Sequence, residues 1–168
     1  MITHVDAPAI LAPFFRASQD VLESELGLAV KLGPAGQVVD DEGVTVDMTV
    51  LVAVTGDLEG TAMYQFSESC ALGILSHLMG SPIDEMSELA ESGIAELGNV
   101  ITGRAAVLLS EQGSVCDIAP PVVIRGQRIH VRAPHLPEWR ARVKTPYGPI
   151  DIRIAVRPIK TNVRSTFD

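Results

Sequence analysis

Residues 87–113, SELAESGIAELGNVITGRAAVLLSEQG, decide the fold, because they predict one long amphipathic helix. Apolar side chains recur at spacings of three and four and so fall in one stripe, which comprises Ala90, Ile94, Leu97, Ile101, Ala105 and Leu108. Ser87 is a favourable N-cap residue, and Gly113 is a natural end. We therefore expect a helix whose apolar side is anchored in the core.

Four residues lie opposite that stripe at about 100° per residue: Ser92, Glu96, Asn99 and Gly103. Two of the four are small, so Glu96 and Asn99 should stand up from a low surface that another protein could approach closely. Asn is unfavourable in mid-helix because its amide competes for backbone hydrogen bonds, and the chain has only two Asn residues. The same pattern also fits an ordinary solvated helix face with an incidental Asn.

The composition is that of a soluble globular protein, with 46% hydrophobic and 20% charged residues. A length of 168 residues favours one domain over residues 1–160, followed by a polar C-terminal tail over 161–168. The apolar runs are too short and too interrupted to span a membrane, and the N-terminal residues lack the basic start of a signal peptide. Cys70 and Cys116 show no paired spacing, so we expect free thiols in a reducing compartment and a cytoplasmic protein.

The net charge of −8 is unevenly distributed along the chain. Residues 1–119 hold 3 Lys or Arg against 18 Asp or Glu, whereas residues 120–168 hold 10 against 3. A basic segment is one sign of nucleic-acid binding, but alternating strands could equally place Arg beside acidic neighbours on a wet face. Trp139, Tyr147 and Phe167 do not form the stacking platform that single-strand binders use, so we expect no nucleic-acid partner.

The remaining polar residues show no catalytic or metal-binding pattern. The His residues show no metal-ligand spacing with carboxylates or cysteines; they are His4, His77, His130 and His135. The Gly-containing turns lack a phosphate-cradle pattern, and no Ser-His-Asp arrangement can be deduced from spacing. We therefore expect no metal site on this chain.

Two further helices precede the long one. Residues 7–26 have one apolar side, and Pro13 either kinks this first helix or marks its true start. Ser67 is a good N-cap for a second helix, which Gly80 ends.

Alternating residues and turn signals predict strands at 28–32, 44–54, 61–66, 128–132, 138–145 and 150–158. The strands at 44–54 and 61–66 should pair as a hairpin. A further strand near 115–124 must lie at an edge or start after Pro121, because Pro120 and Pro121 cannot donate ladder hydrogen bonds. The order helix, strands, two helices, strands favours an α+β fold in which helices cover an antiparallel sheet.

The long helix, its polar motif and the segment after it resemble the CheX-type members of the CheC/CheX/FliY phosphatases of bacterial chemotaxis. The matching residues are Ser92, Glu96 and Asn99 as S-x-x-x-E-x-x-N, then Gly103, Asp117-Ile118-Ala119-Pro120-Pro121-Val122-Val123 and Gly126. The order of elements resembles that of the family from the first helix to the last strand near Pro158. This chain has a single E-x-x-N motif and in that respect resembles CheX, since CheC- and FliY-like members usually carry two such motifs.

The resemblance implies a CheX/CheC-like α+β fold with long helices packed on one face of the sheet, and an enzyme that dephosphorylates a phosphorylated CheY-like receiver domain. Asn99 would orient the attacking water, Glu96 would dock on the receiver's Lys, and Ser92 and Gly103 would be partner contacts. No cofactor is expected on this chain, because the receiver brings its own Mg²⁺. A homodimer with joined sheets is also implied. The alternative is a non-catalytic module of the same fold that binds a receiver or only itself.

Overall fold

The computed structural model of the protein describes residues 7–39, 46–133 and 135–159. Some predicted features lie outside these residues: the acidic turn at 40–43, the start of the strand at Val44, the tail at 161–168, and His4. Within the described residues, the predicted helices and most of the predicted strands are present.

The elements in chain order are α1 (Ala7–Asp20), β1 (Lys31–Leu32), β2 (Gly36–Gln37), β3 (Val46–Gly56), β4 (Leu58–Phe66), α2 (Glu68–Met79), α3 (Glu88–Glu111), β5 (Cys116–Ile118), β6 (Val122–Ile129), β7 (Trp139–Thr145) and β8 (Gly148–Pro158). A π-helical turn, Val21–Glu25, continues α1. The Ser67 hydroxyl caps α2 by accepting a hydrogen bond from the Cys70 amide, and Gly80 ends that helix in the left-handed conformation.

All strand pairs in the sheet are antiparallel. The order is β1–β7–β8–β4–β3–β5, with β2 also paired to β7 and β6 also paired to β3. The predicted hairpin is formed by β3 and β4, in a register that places Val50 opposite Tyr64. The α+β prediction is therefore confirmed.

One face of the sheet is packed against the three helices and holds the core. Inward side chains alternate along the central strands, as the period-2 pattern requires: Met48, Val50, Val52 and Val54 on β3, and Ala62, Tyr64 and Phe66 on β4. The predicted apolar stripe of α3 is buried throughout, which confirms that this helix is anchored in the core. Its first turn is capped by the Ser87 hydroxyl, which accepts a hydrogen bond from the Ala90 amide.

A single guanidinium joins α2 and α3 to the sheet. Arg125 on β6 donates to the Glu91 carboxylate of α3 at 3.1 Å and to the Glu68 carboxylate of α2 at 3.3 Å. It also donates to the carbonyl oxygen of Met86, just before α3 begins. These contacts fix the N-terminal half of α3 relative to the sheet edge.

Two predictions near the prolines had different outcomes. The strand after the tandem prolines does begin at Val122, so the prediction that pairing starts after Pro121 is confirmed. The strand predicted at 128–132 is correct only at its first two residues, because β6 begins at Val122 and ends at Ile129. The backbone of Arg128 has a φ of 55°, outside the extended region, and the register between β3 and β6 shifts next to it.

The first helix passes through its proline. The helix begins at Ala7, so Pro13 does not mark its start. Pro13 lacks the amide that would have bonded to the Ala9 carbonyl, but Ala9 is exposed and water can satisfy that oxygen. The predicted strand at 28–32 is also shorter than expected, since only Lys31–Leu32 pairs.

Candidate functional site

The outward side of α3 carries the four polar and small residues that the sequence singles out. Ser92 and Glu96 are exposed, whereas Asn99 and Gly103 are half-buried. The structure therefore brings all four to one side of one helix, opposite the buried stripe. Residues three apart on a helix have Cβ atoms about 5–6 Å apart, so Glu96 and Asn99 can act on the same partner group.

Glu96 differs from Glu91, an acidic residue five positions earlier on α3. Glu91 is held by Arg125 in an ion pair of 3.1 Å. Neither Glu96 nor Asn99 makes a side-chain hydrogen bond or ion pair with any residue that the structure describes. Glu91 therefore serves the fold, while the carboxylate at 96 and the amide at 99 retain their hydrogen-bonding capacity for another molecule.

Strands β5 and β6 both contact α3, and β5 does so one turn after Asn99. A Cβ placed on Gly103, one turn after Asn99, would lie 3.7 Å from the Ile118 side chain of β5. At the level of Gly98, the neighbouring strand residue is Val50, which pairs with Val123 of β6. The segment that includes the tandem prolines thus runs along the recessed side of the candidate site.

A buried hydrogen-bonded chain lies beneath the same turn of α3. The Thr102 hydroxyl is 2.7 Å from the Gly98 carbonyl oxygen, and the Tyr64 hydroxyl is 2.7 Å from the Thr102 hydroxyl. Burial raises the pKa of Tyr64 far above its ordinary value, although the hydrogen bond with Thr102 opposes this, so the phenol remains a donor. Sequence reasoning missed these three residues; the available signal was a Gly at 98, inside a helix and on its buried side.

Two large apolar side chains on α3 are exposed near the candidate pair. Leu89 is 79% exposed and Val107 is 49% exposed. Leu89 precedes Glu96 by seven residues and Val107 follows it by eleven, so both project within about 20° of Glu96 around the helix. The outward side of α3 is thus apolar at both ends and polar in the middle.

The arginines of the basic C-terminal strands β7 and β8 are paired with carboxylates. Arg140 and Arg142 both donate to the buried Asp151 carboxylate at 2.8–2.9 Å, and Arg157 donates to Glu59 at 2.6 Å. Burial raises the pKa of Asp151, but the hydrogen bonds from the two arginines outweigh it and hold that pKa below its ordinary value. The alternating residues of these strands therefore place each of these arginines beside an acidic neighbour. These cations do not form a free basic face.

An apolar cavity of about 350 Å³ lies elsewhere, between α1 and the β7 edge of the sheet. Its lining includes Leu11, Phe15, Leu32 and Trp139. None of its lining residues belongs to α3, so it is separate from the candidate pair. Across residues 7–39, 46–133 and 135–159, no three His, Cys, Asp or Glu side chains are grouped so that they could hold a metal ion, and no helix has the length and apolar character to cross a membrane.

Known proteins resemble this chain in sequence. The family model described as "Chemotaxis phosphatase CheX" matches residues 48–139, more than half of the chain, and includes all of α3. The "CheY-P phosphatase CheX" of Thermotoga maritima is 32% identical over 126 residues, which cover 74% of this chain and 78% of that protein.

Solved structures share the fold. The CheX of Desulfovibrio desulfuricans has a TM-score of 0.79 at 24% identity, covering 90% of this chain and 99% of that chain. The matching chain of the CheX-CheY-BeF3-Mg²⁺ complex from Borrelia burgdorferi has a TM-score of 0.76 at 24% identity, covering 88% of this chain and 97% of that chain. At 24% identity, the likeness to these solved structures supports the fold alone. The matches in sequence support the family.

Proposed function

This chain belongs to the CheX family of chemotaxis phosphatases, and from that premise we propose that it stimulates dephosphorylation of a phosphorylated CheY-like receiver domain. One observation carries the proposal: the Glu96 and Asn99 side chains lie without internal partners, among the described residues, on the outward side of α3. The relative from Thermotoga maritima is named a CheY-P phosphatase, and a CheX from Borrelia burgdorferi was solved with CheY, BeF3 and Mg²⁺, which supports this substrate.

The reaction requires little from this chain. Water attacks the phosphorus of the aspartyl phosphate, the bond between phosphorus and the carboxylate oxygen breaks, and inorganic phosphate keeps the protons of the water. The leaving group is a carboxylate with an ordinary pKa of about 4, so it needs no general acid. Phosphoryl transfer proceeds mainly through positioning and charge stabilisation, and the receiver would supply Mg²⁺ and a Lys for the phosphoryl oxygens. This chain would bind no cofactor of its own.

Asn99 is the residue that would orient the water. Its carboxamide both donates and accepts hydrogen bonds, so it can fix a water molecule in two directions at once. Gln residues that position water in GTPases work in the same way. A half-buried amide loses less mobility on docking than an exposed one, which suits a group that must hold water in line with the phosphorus.

Glu96 would set the register of the complex. Its carboxylate is exposed one turn before Asn99, where it would pair with the Lys of the receiver in a charge-assisted hydrogen bond. It need not accept a proton, because the loose transition state demands little base catalysis. Loss of Glu96 should therefore weaken binding more than it slows the bound complex.

The docking face would extend along α3 to its exposed apolar residues. Ser92 and Gly103 carry little or no side chain beside the polar pair, so a second backbone can come close. Leu89 and Val107 lie on the same side at the two ends and would be covered by the receiver. A receiver domain is the occupant that the proposed chemistry requires at the centre of this face.

A phosphate-release assay tests the proposed function. A phosphorylated CheY-like receiver is mixed with this protein at one-hundredth of its concentration, and inorganic phosphate is followed over time. We expect many phosphates released per molecule of wild type, and only the receiver's own slow release with Asn99→Ala. If release increases only at stoichiometric amounts, or slows, the protein is a non-catalytic receiver-binding module and the proposal is wrong.

A homodimer with joined sheets is also part of the proposal. Strand β6 pairs only with β3 among the described strands, which leaves its outer edge open to a strand from a second copy. The opposite edge carries only the two-residue strands β1 and β2. Sedimentation equilibrium would measure the state, and a monomer at all accessible concentrations would exclude the dimer.

A further inference from the structure

Helix α3 makes a very close approach to the sheet at Gly98. A Cβ at this position would lie 2.6 Å from Cγ1 of Val50 and 3.2 Å from Cδ2 of Tyr64, and contacts under 3.0 Å are essentially never found for real Cβ atoms. Val50 and Tyr64 are opposite each other on β3 and β4, and both are fully buried. Only glycine therefore permits this helix depth, one residue before Asn99.

The buried hydroxyl chain has a fixed direction. A carbonyl oxygen only accepts, so the Thr102 hydroxyl uses its one hydrogen on the Gly98 carbonyl. The Tyr64 hydroxyl must then donate to the Thr102 oxygen. The chain runs from the sheet through α3 and ends on the Gly98 carbonyl.

That carbonyl is directly coupled to Asn99. The Gly98 carbonyl and the Asn99 amide belong to one planar peptide unit, so a hydrogen bond that fixes one fixes the plane from which Cα of Asn99 projects. The absence of a side chain at Gly98 lets this plane lie close to the sheet, and the Thr102 hydroxyl adds a hydrogen bond to its carbonyl oxygen.

We propose that Gly98, Thr102 and Tyr64 are positioning residues that hold Asn99 at the depth and orientation needed to orient the attacking water. This role rests on the proposed function of Asn99. None of the three would touch the receiver, since all are buried beneath the outward side of α3. They would act through the backbone of the turn that carries the amide.

If this proposal is correct, Gly98→Ala should reduce turnover much more than it weakens binding of the receiver. Restoring ordinary van der Waals distance, which begins at 3.4 Å, requires the helix or Val50 to move by several tenths of an ångström in Gly98→Ala. Misplacement by about 1 Å can cost on the order of 100-fold in rate. The exposed residues that meet the receiver are unchanged, so we expect kcat to fall about tenfold or more and KM to change less than about threefold.

Gly93→Ala is the matched control on the same helix. A Cβ there would lie 2.8 Å from Cδ2 of Leu75, the end of a flexible side chain that can rotate away. The substitution adds the same methyl group to α3, five residues before Gly98 and without contact to the sheet strands. We expect kcat of Gly93→Ala within about twofold of wild type. Equal kcat in Gly98→Ala and Gly93→Ala would overturn the role of Gly98.

Thr102 supplies a second pair of variants that separates the hydrogen bond from packing. Thr102→Ser keeps the hydroxyl and loses a methyl group, whereas Thr102→Val keeps the shape and loses the hydroxyl. We expect kcat near that of wild type for Thr102→Ser and a loss of about fivefold or more for Thr102→Val, with Tyr64→Phe between them. If Thr102→Ser and Thr102→Val lose the same activity, the hydroxyl chain has no positioning role. This pair also decides the matter if Gly98→Ala does not fold.

An NMR measurement tests the positioning of Asn99 separately from phosphatase activity. The chain has two Asn residues, Asn99 and Asn162, so ¹⁵N-Asn labelling gives two side-chain amide groups, each with one pair of ¹H–¹⁵N signals. We expect the Asn99 signals to shift in Gly98→Ala and Thr102→Val, and to stay in place in Gly93→Ala and Thr102→Ser. Unmoved signals would overturn the inference even if phosphatase activity is found. Lack of activity in wild type would instead overturn the proposed function, and shifted signals would then still establish how Asn99 is held.

Discussion

Asn99 is recessed relative to Glu96 on the same side of α3: the carboxylate is exposed, whereas the amide is half-buried. Because Asn99 follows Glu96 by three residues, its side chain points about −60° away from that of Glu96 around the helix axis. One turn further on, a Cβ at Gly103 would lie 3.7 Å from Ile118 of β5. A protruding charge suits recognition and a recessed amide suits positioning, so the two residues should fail differently when removed.

Asn99→Ala should abolish stimulated dephosphorylation and leave binding intact. Removing a group that acts mainly in the transition state costs on the order of 10²–10³ in rate, about 3–4 kcal/mol. Single-turnover release of phosphate and titration against a receiver carrying a beryllofluoride group measure the two quantities. A variant that retains full activity would remove Asn99 from the mechanism.

Glu96→Ala should act mainly on affinity. We expect KM to rise by about tenfold, equivalent to about 1.4 kcal/mol, with kcat changed much less, because the lost interaction is a charged contact at the interface. Glu111→Ala, which removes an exposed carboxylate near the end of the same helix, is the control for net charge. A fall in kcat with unchanged KM would instead indicate that Glu96 takes part in the chemical step.

Leu89→Ala should weaken the complex without altering the fold. Leu89 is 79% exposed, so its removal costs the free protein little, whereas burial in the complex would be worth about 1 kcal/mol or about fivefold in affinity. Leu78→Ala, at an exposed position on α2, provides the comparison. Equal affinities for the two variants would show that the receiver does not reach the start of α3.

Asp151→Asn should make the free energy of unfolding less dependent on pH under acidic conditions. The pKa of Asp151 is lowered in the folded protein, because the hydrogen bonds from Arg142 and Arg140 outweigh burial. Its ionised form therefore stabilises the fold above the unfolded pKa of about 4, and this contribution is lost as the pH falls from there through the folded pKa.

Urea unfolding of both proteins at pH 7 and pH 3 measures this effect. We expect Asp151→Asn to lower the free energy of unfolding at pH 7 by about 1–3 kcal/mol, since the partly hydrated arginines lose their shared partner. The variant should then lose less stability than wild type on going to pH 3. Parallel losses would mean that Asp151 does not govern this part of the curve.

Gly60→Ala should be among the most destabilising single-methyl additions. Gly60 has a φ of 145°, and a Cβ would overlap the Ala155 carbonyl and lie 2.8 Å from Cα of Val156 in the paired strand β8. We expect a loss of about 3 kcal/mol or more in the free energy of unfolding. Gly80→Ala, at a φ of 65° with no atom within 4 Å, should cost only about 1 kcal/mol. Equal losses would show that backbone angle alone, without the clash, sets the cost at Gly60.

Sequence patterns correctly predicted those features of the fold that depend on residues close together in the chain. The caps at Ser67 and Ser87 and the left-handed stop at Gly80 were predictable, because capping depends on residues a turn apart. The end of the strand predicted at 128–132 was not, because the alternation continues after pairing stops at Ile129, and Arg128 just before it has a positive φ. Passage of α1 through Pro13 likewise depends on the exposure of Ala9, which the sequence does not reveal.

The amino-acid sequence was sufficient to identify the side chains that share the outward side of α3, because helix periodicity relates spacing to direction and the apolar stripe marks the side that faces the core. It also placed Glu96 one turn before Asn99, which follows from the 3.6-residue repeat. The packing of the helix on the sheet was needed to show that Glu91 pairs with Arg125, that Asn99 is half-buried, and that Gly98 lies against Val50. These facts depend on contacts between residues distant in the chain, and such contacts arise only when the helix packs on the sheet at one depth and one rotation.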